Sequence, residues 1–379
     1  MGVSVTGRLN ISAMGLEDCI EEDDLGRKFV RIDDQIFIVT RPEEKNFFEF
    51  TGAKWPNGKV RYRFASSVTA EQKAIFREAC RLWALRAKLS FHEIEDTSGN
   101  YIEVVTSSNS NSSIVGMGGG GKQILELVNW DWPGIVVHEI GHALGLVHEQ
   151  CRAGRGDYVE ILTDNIRDED AKKNFTEFPN STTTGPYDFA SVMHYDLDAF
   201  AKPGTSTIRV KSKYAHLGYQ CGQRWFLTPW DARAVAAAYG ATGFKDVILF
   251  DARAWPKTQT EVTLRSLSDA TRGAIFVDVA MPGRAKVQQV EFDFRCGNGD
   301  CDLYVDRTAI EPGAAWPQDI VRFPSRLRAD KKSNSGTSNE RVVFGTPAAD
   351  DKDQRYIVAI HAHKAYANAT LTIRITRKP

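Results

Sequence analysis

A chain of 379 residues, 42% hydrophobic and 26% charged, has the make-up of a soluble globular protein and exceeds what one hydrophobic core usually organises. Its 48 basic and 49 acidic residues leave a formal charge of −1, too little to draw nucleic acid or an anionic membrane, and neither partner is expected. No run of about 18 or more apolar residues reads as a membrane span.

Residues 1 to about 50 begin acidic and irregular (LEDCIEEDD) and carry one strand-like run, FVRIDDQIFIVT, before the charged RPEEKN. They read as an appendage rather than a domain. MGVSVTGRLN lacks a basic start followed by an apolar stretch, so secretion is inferred without a visible signal peptide. From Trp55 the pattern tightens. KVRYRFA alternates like a strand, and TAEQKAIFREACRLWALRA predicts an amphipathic helix opened by Thr69. Strands are predicted at Leu89 to Ile94, at Tyr101 to Thr106 and in KQILELV, with GMGGGG before the last as a tight turn. A second helix begins near Pro133 and runs through VVHEIGHALGLV; TPWDARAVAAAYG predicts a closing helix capped by Thr228. Beyond Gly243 come short alternating runs separated by turn residues, the pattern of a β-sandwich of about 120 residues.

The chemistry concentrates in His138 to His148, where three of the eight histidines fall in H-E-x-x-H-x-x-G-x-x-H. One helical turn separates His138 from His142, so both imidazoles project from one face and can take two corners of a tetrahedral zinc site. Gly145 can end the helix at positive φ and bring His148 back as the third ligand. Three protein ligands leave a position for water, and Glu139 stands beside it as the base. A single helix histidine is usually a packing residue; three at this spacing with the Glu and Gly in place are not.

HEIGHALGLVHEQCRAGRGDYVEI and Ser191 to Tyr195, SVMHY, resemble the signature and Met-turn of the astacin family of metzincin proteases. The resemblance spans roughly Trp55 to Gly240. It implies an α+β fold, with a metzincin-type catalytic domain split by a zinc cleft, preceded by a short pro-segment and followed by the β-sandwich. It also implies Met193 as the apolar floor under the metal and Tyr195 as a ligand that swings away to stabilise the oxyanion. Counting back to the family's mature start ends a pro-segment of residues 1–45 with trypsin-like activation after Lys45, leaving 46–245 as protease domain, and the change to short alternating runs sets 250–379 as accessory domain. Glu149 is then the buried partner of the new N-terminus. Gly154 and Gly156 stand where the family carries acidic residues, so the support under His148 differs.

Latency calls for a removable block on the zinc. Cys19, whose thiolate is a strong zinc ligand, is the candidate, resembling the cysteine switch of the related matrixins; Asp18, Asp23 or Asp24 are alternatives. Cys296 and Cys301 flank an Asn-Gly turn and predict a small disulfide loop, and Cys151 with Cys221 is a second candidate bridge. FRCGNGDCDLYVD and RYIVAIHAHKAYANATLTI resemble the bacterial pre-peptidase C-terminal domain. There Asp300, Asp302 and Asp306 form a candidate Ca²⁺ cluster, with a solvated loop as the alternative. The reading is a secreted, monomeric zinc endopeptidase, with a protein or peptide substrate and an activating protease as partners. The Gly-rich rim and strand around Ser113 to Leu127 suit an extended peptide. A non-catalytic binding protein using the sandwich, or a zinc hydrolase of non-peptide bonds, are the rivals.

Overall fold

The computed structural model describes residues 3–4, 10–40, 49–50, 53–179, 181–256, 258–283, 286–310, 323–324, 328–336, 339–345 and 352–378. The chain divides into two compact units, Met1–Phe244 and Lys245–Pro379. The predicted cut after Lys45 lies outside the described residues.

In the first unit the strands and helices are β1 Val3–Ser4, β2 Ile20–Glu22, β3 Lys28–Ile32, β4 Gln35–Thr40, β5 Glu49–Phe50, β6 Lys59–Phe64, α1 Ala70–Arg86, β7 Ser90–Glu93, β8 Tyr101–Thr106, β9 Ser112–Ile114, β10 Lys122–Leu127 and α2 Pro133–Ala143. They continue with β11 Leu146–Val147, β12 Val159–Ile161, α3 Glu169–Lys172, β13 Thr182–Thr183, β14 Ile208–Val210 and α4 Pro229–Tyr239. The main sheet runs β2-β3-β4-β9-β10-β8-β6-β7, with β5 on β4; β1 lies between β11 and β13.

The N-terminal segment is therefore no appendage. FVRIDDQIFIVT is two strands, not one: Ile32 pairs with Gln35 across a two-residue turn, and Asp33 takes φ 56°, a left-handed conformation that aspartate tolerates. β4 then adds parallel to β9, so the sheet passes without a break from the N-terminal segment into the catalytic region. Ile11, Leu16, Val30, Ile32, Phe37 and Val39 bury themselves against Val115, Val147, Cys151 and Phe178. This shared core is what makes the segment part of the unit.

Both predicted caps are present as capping boxes, Thr69 with Gln72 on α1 and Thr228 with Asp231 on α4. α2 is buried along its length from Val136 to Ala143, an apolar central helix. A buried helix end leaves carbonyls without partners unless side chains reach them. Here the Trp55 indole donates to Ala143 O (2.8 Å) and the Tyr239 hydroxyl to Leu144 O (3.1 Å). Trp83 of α1 donates to Val137 O (3.0 Å), fixing α2 against α1.

The second unit holds two sheets. One is β15 Val247–Asp251, β17 Ala274–Met281, β22 Gln354–Lys364, β19 Asp300–Ala309 and β20 Lys331–Ser333; the other is β16 Glu261–Asp269, β23 Tyr366–Arg377, β18 Val287–Arg295 and β21 Asn339–Phe344. All pairings are antiparallel except β15 with β17. Tyr356 of the first sheet packs against Phe292 and Phe344 of the second, at ring separations of 5.5 and 5.2 Å.

Candidate active site

Position 145 sets the geometry. Gly145, at φ 101°, turns the chain out of α2 into β11 and delivers His148 opposite the two helix histidines. His138 Nε2 lies 3.0 Å from His142 Nε2 and 3.4 Å from His148 Nε2. The fourth corner belongs to Asp34, whose carboxylate oxygens lie 3.2, 3.3 and 3.0 Å from Nε2 of His138, His142 and His148. Ligands at about 2.0–2.1 Å from a tetrahedral zinc sit about 3.3 Å apart, so this donor set fits the ion. Among the described residues these four form the one group of three or more His, Cys, Asp or Glu side chains gathered this way.

The outer edges of the rings are also held. His138 Nδ1 pairs with Val192 O (2.7 Å) and His142 Nδ1 with Leu146 O (2.8 Å), contacts that leave each Nε2 lone pair directed inward. His148 is gripped twice by Gln35, at Nδ1 (2.7 Å) and through its backbone N–H, which donates to Gln35 Oε1 (3.0 Å). Burial pulls His138 down to about 3 and His148 to about 4, so both are neutral and able to ligate.

Glu139 is buried beside them, and its Oε2 has no hydrogen-bond partner among the described residues. Burial first, then the nearby charges of Asp34 and Asp33, push its carboxyl well above the usual range. The Tyr195 ring lies tilted against His148 at 4.4 Å, and its hydroxyl donates to Asp33 Oδ2 at 2.6 Å. Burial raises the phenol well above its ordinary value, so it keeps that proton. Met193 lies wholly buried under α2; a Cβ on Gly141 would come within 2.9 Å of its Sδ, which is why the helix needs glycine there.

Two buried carboxylates that the sequence reading passed over brace this floor. Asp231, at the start of α4, accepts from Ser191 Oγ (2.6 Å), Val192 N (3.0 Å) and Thr228 N (3.1 Å), tying the Met193 turn to the helix cap. Asp188 accepts from Thr228 Oγ1 (2.5 Å), and its own N–H donates to Glu149 Oε1 (3.0 Å). Glu149 is fully buried and pairs with Arg152 at 3.0 Å; its Oε2 accepts no hydrogen bond among the described residues. Where Gly154 and Gly156 lack acidic side chains, Arg155 instead donates to Gln150 O (2.7 Å) and approaches Glu177 (3.6 Å).

Several expectations are corrected. Cys19 does not face the histidines: it ends a short 3-10 turn and packs against the apolar cluster around Ile11 and Leu16. The carboxylate that does face them belongs to none of Asp18, Asp23 or Asp24; Asp23 instead holds Arg27 at 2.7 Å. All six cysteines are unbridged thiols. Cys151 Sγ donates to Asn174 O (3.3 Å), whereas Cys221 lies near His194 (3.9 Å). Among the described residues Asp300, Asp302 and Asp306 do not gather into a Ca²⁺ cluster either, and two of the three are engaged by protein groups. Asp302 accepts from Tyr304 (2.5 Å) and pairs with His363 (2.7 Å), and Asp306 accepts from Asp330 N (2.8 Å).

Residues 48–240 match the model of the Astacin peptidase family. Zinc metalloproteinase nas-14 of Caenorhabditis elegans is 32% identical over 212 residues, covering 55% of this chain and 41% of that protein. Bone morphogenetic protein 1 of Xenopus laevis is 34% identical over 191 residues, covering 49% and 27%. The chain thus spans less than half the length of these curated relatives. High choriolytic enzyme 1, a hatching enzyme zinc-protease from Oryzias latipes, superposes with a TM-score of 0.45 at 28% identity, over 50% of this chain and 94% of that one. With the family model matching half of its residues and the three histidines gathered as that family's signature implies, the chain belongs to the astacin family.

Proposed function

We propose that the first unit is a zinc-dependent endopeptidase that cuts peptide bonds inside proteins, and that its N-terminal segment keeps it latent. The observation that carries this is the four-cornered donor set with Glu139 buried alongside. His138, His142 and His148 would hold the ion, which when bound lowers the pKa of water and polarises a carbonyl.

The remaining roles fall to the chain. Glu139, with a free Oε2, takes the proton of the attacking water and returns it to the leaving amine. Burial first, and then the nearby charges of Asp34 and Asp33, favour its protonated form. Departure of the two aspartates removes the second of these contributions, a change toward the carboxylate that acts as base. Tyr195, once released by Asp33, has a phenol proton to give to the carbonyl oxygen as charge develops on it. β9, now paired with β4, is the edge along which an extended substrate would lie. Glu149, with one oxygen unspent, suits the expected pairing with a new N-terminus near Asn46.

Secretion, a monomeric state and an accessory role for the C-terminal sheets belong to the same proposal. Mass spectrometry of a protein substrate treated with the chain freed of residues 1–45 tests the activity. Internal cuts that vanish with a chelator and return with zinc are expected. Intact substrate would shift the reading to a binding protein, and hydrolysis of esters alone to a non-peptide hydrolase.

A further inference from the structure

Residues 10–40 are tied to the catalytic region by much more than the peptide chain. β4 is an interior strand flanked by β3 and β9. Ser113 N donates to Asp34 O (2.8 Å) and Val115 N to Ile36 O (2.9 Å), while Arg27 donates to Gly119 O (2.7 Å). Asp33, Asp34 and Gln35 engage Tyr195, the three histidines and the far edge of His148. Phe37 meets Phe178 at 5.4 Å within the shared apolar cluster.

All of these contacts act through space. A cut beyond Thr40 breaks one covalent link and removes none of them. The retained surface combines buried aromatic and aliphatic anchors, strand hydrogen bonds and a fully buried glutamine, the anatomy of a slowly dissociating interface.

We propose that residues 10–40, once severed, remain in the cleft as a tight inhibitor in trans, so that one cut within 41–48 yields a nicked and still silent complex. Activation then needs a second event that breaks up the segment itself. The turn between β2 and β3 is the place for it: Leu25 there is 49% exposed, in contrast to the buried side chains that follow in β3 and β4. The inference rests on the latency proposed above, since it concerns how that latency ends.

The test places a site for a sequence-specific protease between Thr40 and Glu49 of the full chain, in a Glu139→Gln background that prevents self-digestion. After complete cutting, gel filtration near 1 μM with intact-mass detection reads whether the fragment stays. Stoichiometric co-elution is expected, with Phe37→Ala speeding release roughly 100-fold by emptying the contact with Phe178. A fragment that separates at once from the cut parent, or release unaltered by Phe37→Ala, overturns the proposal. The same cut in the Glu139 parent keeps the two ideas apart. Co-elution without peptide hydrolysis supports both; co-elution with hydrolysis overturns inhibition by the retained segment, and hydrolysis by the uncut parent overturns the latency reading as well.

Discussion

The Tyr195 hydroxyl donates a hydrogen bond to Asp33 at 2.6 Å, and the very next residue, Asp34, closes the ring of three histidines. One two-residue turn therefore engages both the metal position and the hydroxyl proposed to stabilise the oxyanion.

If the released phenol serves the oxyanion, Tyr195→Phe in the processed protein should lower kcat by roughly 10²–10³-fold with little change in KM. Steady-state kinetics on a quenched peptide checks this. A loss confined to KM would assign Tyr195 to substrate binding instead.

Asp34 and Cys19 are separated by how firmly the latent chain holds its metal. Asp34→Ala removes one of four donors and should hasten zinc loss to a competing chelator by roughly tenfold or more. Cys19→Ser should leave the rate unchanged, because Cys19 packs in the apolar cluster. The reverse ranking would restore the cysteine switch.

The histidine motif was legible because its chemistry lies within one helix and one turn, where spacing fixes direction. Asp34 was not, for two physical reasons. IDDQ lacks the Gly or Asn that usually marks a two-residue hairpin, so two strands read as one and the turn residues read as strand interior. The contact it makes also spans 104 residues of sequence to His138, beyond any periodicity. Asp231 escaped for a related reason: its local role as the N3 partner of Thr228 is visible in TPWD, whereas its hold on Ser191 and Val192 exists only once α4 has docked. Thiol chemistry made Cys19 attractive, but ligand strength says nothing of where a side chain points.

Asp231 should prove costly to remove. Asp231→Ala leaves Ser191 Oγ and two backbone N–H groups buried without their acceptor, a loss of roughly 2–5 kcal/mol. Denaturant unfolding reads it; a change under about 1 kcal/mol would show that water replaces the carboxylate.

Asp188 predicts a pH dependence. Burial, with the charge of Asp231, raises its carboxyl to about 7. The fold then binds this proton more tightly than the unfolded chain, whose aspartates titrate near about 3.9. Its penalty is absent at low pH, grows as pH rises from about 4 to about 7, and is constant above. Asp188→Asn should therefore gain stability relative to the parent between pH 5 and pH 8. A difference that stays constant across that range contradicts the assignment.

The most direct test of the central claim is zinc content measured together with casein cleavage, before and after residues 1–45 are cut off and washed away, with Glu139→Gln in parallel. The account predicts one zinc per chain throughout, cleavage by the freed parent alone, and a roughly 10²–10⁴-fold deficit in the freed Glu139→Gln protein. Zinc bound at full occupancy with no cleavage by the freed parent, or with equal cleavage by both proteins, would contradict it.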